Sequence, residues 1–374
     1  MKRTAGFSLL EMLVAITVTV IVVMVSLDAL TQAQHTTEGI SLMSNMTENL
    51  RAGMNYMSQD LILAGSGIPQ GGISIPEGNG PAINRPSPVG APLLAQRFVD
   101  LTNTPLTAIP AVDPGFTFGP AIQGPSDMVT IIYADNLTFG PLNPPVGNPL
   151  NANAINDPGA IAPSQPCAGT IDPSGNGGFV TFDPACVVLV AGNGAIAPGD
   201  LIMFSNNQGS TIECVTGVTF GPPSKLTFAA GDPYGLNGTA GTYTSGTMKQ
   251  LESAPGVYPP TTATRVWMIT YYLDNTNPAG PRLMRQVNFN LPKAVAESIE
   301  GLQIAYNFVS PLCGAGCTNQ PNPPAGLTPD QMMSANLFLA ARSDKPFSWT
   351  KRYFRNNLTS QISLRGLAFF NQYN

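Results

Sequence analysis

Met1-Lys2-Arg3-Thr4-Ala5-Gly6-Phe7-Ser8-Leu9-Leu10-Glu11 opens the chain and leads into an apolar stretch that continues to Leu27. A secretory signal peptide places its small-residue cleavage site after the apolar centre. Here the small junction, Ala5-Gly6, lies before that centre, and no Ala-x-Ala site follows it. Cleavage at Gly6 would remove Lys2 and Arg3 and leave the apolar segment on the mature chain. Phe7 to Leu27 is 21 residues in which Glu11 is the only charge. As a helix it is about 31 Å long, enough to cross a bilayer core. The basic residues before it put the N-terminus in the cytoplasm and the bulk of the chain outside. Glu11 is costly so far into an apolar helix unless something receives its charge. Two readings are open: the carboxylate snorkels to the headgroups, or it pairs with a positive group from another chain.

The helix extends well past the span. Met43, Met46, Leu50, Met54, Met57 and Leu61 recur at gaps of three and four beyond Ile40, with Glu38, Asn45, Glu48, Asn49, Arg51 and Gln59 between them. That is one apolar stripe at helical period, read as facing a core. Gly65, Gly67 and Pro69 stop it, and a helix from Phe7 to Ala64 measures about 87 Å. Gly39 and Gly53 are positions where it could bend. His35, the single histidine, reads as a solvated helix residue just beyond the membrane.

The remainder is large enough for a substantial core. Only 10% of residues are charged, while 38 Gly and 36 Pro make up about a fifth of the chain, the composition of a loop-rich β domain. Strands are expected at Asp127–Tyr133, Cys186–Ala191, Asp200–Phe204, Thr211–Thr219, Lys225–Phe228, Thr264–Tyr272, Arg282–Phe289 and Leu302–Val309. Asn275–Gly280 is the loop of a hairpin. Ala294–Glu300 suggests a helical turn, and Leu337–Ala341 fits helix or strand equally. Residues 65–124 and 140–178 read as long irregular surface insertions. The expected organisation is therefore a leader over 1–6, a membrane half-helix over 7–30, an amphipathic half over 31–64, and a β-rich domain over 65–374.

Removing Lys2 and Arg3 from the 17 basic residues leaves fifteen against 22 acidic ones, about −7, which argues against a nucleic-acid partner. The only basic grouping is Lys351, Arg352 and Arg355. Five cysteines, all beyond the span, suit an oxidising compartment. Cys313 and Cys317 could close a small loop, and Cys167 could pair with Cys186, leaving Cys214 a buried thiol; Cys186 with Cys214 is the open alternative. One histidine is too few for a His-dependent triad or a clustered zinc site, and no acidic pair or phosphate loop stands out. No enzyme activity, metal or cofactor is expected.

Gly6-Phe7-Ser8-Leu9-Leu10-Glu11 resembles the class III signal of type IV pilins and type II secretion pseudopilins. The resemblance implies a prepilin peptidase that cuts after Gly6 and N-methylates Phe7. It also implies that Glu11 pairs with a neighbouring subunit's N-terminal amine during assembly. Ser126-Asp127, Gly199–Ile202, Val266–Tyr272, Leu283–Gln286, Ile299–Tyr306, Leu339–Ser343 and Ile362–Arg365 are similar to the body of PilW-like minor pilins. That implies an α+β, pilin-like fold, a long N-terminal helix packed on an antiparallel sheet with long loop insertions. It further implies an inner-membrane subunit that primes the type IV pilus at its tip, with other minor pilins, the major pilin and a PilY-type adhesin. A J-type secretion pseudopilin and a membrane-tethered binding module are the alternatives.

Overall fold

The computed structural model describes residues 8–76, 83–99, 106–122, 124–142, 169–172, 178–182, 196–220, 224–237, 246–277, 280–309, 317–324 and 327–367. A single helix, α1 (Leu9–Leu63), occupies the whole N-terminal segment, about 83 Å of it. Among the described residues nothing covers its apolar window, and Leu9 through Leu30 present their side chains outward. Its second half lies on the domain. Leu42, Met46, Leu50, Gly53, Met54, Met57, Asp60 and Leu61 form the buried face. The stripe expected from the sequence is therefore shifted at its start, because Ile40 and Met43 face solvent and Leu42 takes the inward position.

Gly53 is a contact and not a bend. A Cβ there would lie 3.0 Å from Leu283 Cδ2 and 3.2 Å from Ala296 Cβ, so the missing side chain lets the helix approach the strands beneath it. Past the helix, Gly65 N–H donates to Ile132 O at 2.9 Å and Ala134 N–H donates to Ser66 O at 2.8 Å, tying the helix exit to strand backbone. Gly67 between them has φ +70°, and a Cβ would sit 2.7 Å from Ala134 Cβ, so the position excludes other residues.

The expectation of a pilin-like α+β fold with a helix laid on one antiparallel sheet is overturned. Strand outweighs helix, 40% to 24%, and the larger sheet nearly closes into a barrel. Its spine is a ribbon of two long antiparallel strands, β4 (Ser126–Leu142) and β11 (Thr261–Asp274), paired from Tyr271 opposite Val129 to Thr261 opposite Leu142 with register shifts between Thr264 and Val266 and between Thr261 and Ala263. At the helix end of this ribbon β3 (Val112–Gly119) flanks β4, while β12 (Arg282–Val287) and β13 (Lys293–Glu297) extend from β11. At the far end β11 pairs with β7 (Leu201–Asn206), which continues through β8 (Gly209–Cys214) to β1 (Ile73–Ser74) and β2 (Ala108–Ile109). There β4 passes instead to β5 (Gly169–Asp172), β6 (Phe179–Phe182), β10 (Ser224–Thr227) and β9 (Gly217–Thr219). The pairs β1–β8 and β4–β5 are parallel, so the sheet is mixed. Among the described residues a second sheet of three antiparallel strands, β14 (Ile299–Phe308), β15 (Met332–Arg342) and β16 (Arg355–Ser363), completes the domain.

Burial follows from this branching. Ile269, Tyr271 and Leu273 alternate along β11 and face the helix stripe together with Leu302 and Ile304 of β14 and Leu337 and Leu339 of β15. A second core, with Phe204, Leu226, Phe228 and Leu251, fills the barrel-like lobe. A third uses the opposite face of the same strands, Val266 and Met268 against Met203 and Ile212. Residues 65–124 contribute to that third core and are more than a surface insertion. Ile68, Ile73, Ile75, Ile83, Phe98 and Ile109 are buried there, and Arg85, buried with Asp113, bonds Ala95 O through Nε at 3.0 Å.

The expected strands at Asp127, Asp200, Lys225, Thr264, Arg282 and Leu302 coincide with β4, β7, β10, β11, β12 and β14. Thr211–Thr219 divides into β8 and β9, and Leu337–Ala341 resolves as strand β15. Ala294–Glu300 is no helical turn. Ala294–Glu297 belongs to β13, whose pairing with β12 outweighs the helix propensity of Ala and Glu, while Ser298 turns the chain at φ +59° and Ile299 and Glu300 open β14. Cys186–Ala191 and most of 140–178 lie outside the described residues.

Candidate assembly site

The N-terminus of α1 is closed by a reciprocal cap. Ser8 is extended (φ −78°, ψ 150°), its Oγ accepts from Glu11 N–H at 3.2 Å, and its own N–H donates to Glu11 Oε2 at 2.9 Å. Two helix-end donors are thereby satisfied, and the carboxylate sits where the helix dipole favours negative charge. Glu11 thus has a partner within its own chain, a third arrangement besides snorkelling and pairing between chains. The signal was present in the sequence, because Ser8-x-x-Glu11 is the spacing of a capping box. Gly6 and Phe7 lie outside the described residues. From Leu9 to Leu30 no described residue covers the helix, which leaves its apolar side chains exposed to lipid or to other helices.

The docked half of α1 is clamped by a buried charge. Asp60 accepts from Arg285 Nε at 2.8 Å and Arg285 Nη2 at 3.1 Å, and from the Tyr271 hydroxyl at 2.5 Å. The Tyr133 hydroxyl adds a long contact at 3.4 Å. Strands β4, β11 and β12 each supply one of these donors. Burial and then the Asp60 charge raise the Tyr271 phenol, and the same causes push Tyr133 up to about 12, so both remain protonated donors. Burial opposes the charge on Arg285, but the Asp60 hydrogen bonds and charge outweigh it and raise its pKa. Sequence pattern could not single out Asp60, since it reads there as one more polar residue beside the stripe.

A second attachment lies nearer the span. The loop between β15 and β16 reaches α1, where Trp349 stacks on His35 with centroids 5.2 Å apart and planes at 20°. Phe347 meets the same ring edge-on at 5.9 Å. Ser348 donates to Glu38 through both its backbone N–H (3.1 Å) and its hydroxyl. His35 is therefore an aromatic docking point rather than the solvated residue expected from the sequence.

Cys214 is a buried free thiol, pushed up to about 12 by burial and then by the charges of Asp232, Asp200 and Glu213, which removes the Cys186–Cys214 pairing. Cys317 is disulfide-bonded. Cys167, Cys186 and Cys313 lie outside the described residues. Among the described residues no group of three or more His, Cys, Asp or Glu side chains is placed to hold a metal ion.

Residues 1–27 match the family model of the prokaryotic N-terminal methylation motif. No curated protein and no solved structure matches the chain. The motif and the apolar helix that carries it support a prepilin-like chain, pilin or pseudopilin, anchored in the inner membrane and processed by prepilin peptidase.

Proposed function

We propose that this chain is a minor pilin of the PilW-like kind, which primes type IV pilus assembly and occupies the filament tip. The observation that carries the reading is the methylation motif joined directly to an unburied apolar helix, with a large β domain clamped to the helix's other half. Prepilin peptidase removes residues 1–6 and methylates Phe7. The helix holds the subunit in the inner membrane, N-terminus in the cytoplasm and domain in the periplasm, until it enters the filament. There Glu11 exchanges its bond to Ser8 N–H for the N-terminal amine of a neighbouring subunit. A buried pair of this kind sets register more than stability. A bulky domain crowds neighbours within a helical lattice, whereas at a terminus it faces open space. Other minor pilins, the major pilin and a PilY-type adhesin are the partners this position requires. The role is structural and not enzymatic.

The test is mass spectrometry of the protein and its co-purifying partners from detergent-solubilised native membranes. A first peptide beginning with methylated Phe7, together with minor pilins and a PilY-type adhesin, is the expected result. Methylated Phe7 with type II secretion pseudopilins would move the protein to that system. An intact Met1 terminus would sink both filament readings and leave a membrane-tethered binding module.

A further inference from the structure

We propose that the β15–β16 loop, residues 344–354, is a foot that rests in the anionic headgroup layer beside the point where α1 leaves the bilayer. Its partner is the phospholipid surface, and it sets how the domain stands on the membrane before assembly. The proposal rests on the reading of α1 as a membrane anchor.

The loop descends α1 toward the span as it approaches its tip. Phe347 and Phe354 lie over Gly39, 3.8 Å and 4.0 Å from where its Cβ would be, Ser348 holds Glu38, and Trp349 covers His35. Asp28 is the first charge after the apolar run. Asp28 to His35 is a rise of about 10 Å, and the headgroup layer extends roughly 5–8 Å beyond the hydrocarbon. Helical side chains lean toward the N-terminus, which here is the membrane side, so the His35 ring and the indole stacked on it reach down into that layer.

Trp349 is 72% exposed although it is among the largest apolar side chains of the domain. Lys345, Lys351 and Arg352 are exposed around it, in a chain whose net charge is −5. Of the acidic groups, Asp344 lies in the loop and Glu38 beside it is held by Ser348, while Asp28 is seven residues before His35 on the helix; Arg355 is tied to Glu300 at 2.9 Å. An exposed Trp among cations is the composition of a membrane-interface anchor. The loop is also preformed. Phe347 N–H donates to Arg352 O at 2.9 Å, Lys351 N–H donates to Phe347 O at 2.8 Å, and Ser343 N–H donates to Phe354 O at 2.9 Å, so the tip needs little ordering on contact.

The experiment uses the full chain with Trp267→Phe, which leaves Trp349 as its one tryptophan. The protein is reconstituted into vesicles of phosphatidylethanolamine and phosphatidylglycerol that carry a headgroup nitroxide, and insertion is scored first by flotation after a carbonate wash. In inserted protein, Trp349 emission should fall at least about twofold, and K345E/K351E/R352E, equally inserted, should recover most of it. Inserted protein with Trp349 unquenched overturns the proposal. So does equal quenching of the charge-reversed variant, which would make proximity a mere consequence of the tether. Shielding of Trp349 from the nitroxide that disappears when the protein is diluted in the membrane would assign the face to a second copy. Failure to float defeats the anchor reading itself, before any quenching is measured.

Discussion

Replacing Asp60 by Ala should detach the docked half of α1 from the domain, and the size of the effect can be worked from its partners. The carboxylate accepts two N–H bonds from Arg285 and one O–H bond from Tyr271. Tyr271 is fully buried, so its hydroxyl loses its acceptor without access to water, at about 1–3 kcal/mol. Breaking a fully buried ion pair costs about 3–5 kcal/mol. The Arg285 side chain keeps 24% of its surface in solvent and can turn outward, so its share falls below that range. The total expected for Asp60→Ala is about 3 kcal/mol, roughly 4–6 °C in Tm for a domain of this size. The assay is urea unfolding of the full chain in detergent, followed by fluorescence and compared with Arg285→Ala and the double variant. The two losses should be strongly non-additive, with a coupling of about 1–2 kcal/mol. A loss under about 1 kcal/mol for Asp60→Ala, with additivity in the double variant, would refute the clamp.

Three further substitutions probe other parts of the molecule. Glu11→Gln keeps the capping-box geometry but removes the charge. If Glu11 acts by pairing with an amine, piliation counted by electron microscopy should collapse while membrane insertion is unchanged; normal piliation would reduce Glu11 to a cap. Gly53→Leu forces a side chain into the space taken by Leu283 and Ala296. It should cost about 2–3 kcal/mol in the same urea assay, despite the better helix propensity of leucine. Glu213 on β8 is buried, with Oε2 unpartnered among the described residues and Oε1 accepting from Met248 N–H at 3.2 Å, and burial raises its pKa well above 4.5. The folded protein therefore keeps a proton that the unfolded chain releases above pH 4.5, and this group's contribution to stability falls as pH rises. Glu213→Gln should match the native protein near pH 4 and surpass it at pH 8 in thermal melts; parallel curves at all pH values would discard the assignment.

How much was legible in advance can be judged residue by residue. The span, the helical stripe from Met46 to Leu61, the stop at Gly65 and the strands β4, β7 to β12 and β14 were readable, and so was the motif around Gly6, Phe7 and Glu11 that the family model matches. The Ser8–Glu11 cap was equally local and was overlooked. The barrel-like sheet was not readable. Thr130 and Thr270 meet side by side at 3.1 Å across 140 residues of sequence, and any strand offers the same backbone donors and acceptors to any other. Partner choice is therefore settled by which faces bury together. Residues 65–124 looked like loop because Pro and Gly interrupt every period, yet isolated apolar residues such as Ile83 and Phe98 find the third core once β1 and β2 are in place.

Sequence alone determined the features that depend on neighbours within a turn or two of helix: a segment long and apolar enough to cross a membrane, its cap and the apolar stripe that follows. Tertiary structure alone decided which polar residues of that helix matter. Asp60 and His35 look like ordinary solvated positions in the sequence. They become a clamp and an aromatic seat because strands β4, β11 and β12 and the β15–β16 loop, far away in the chain, bring donors and rings to them. A charge acquires structural weight only when water is removed from around it, and that removal is a property of the assembled fold.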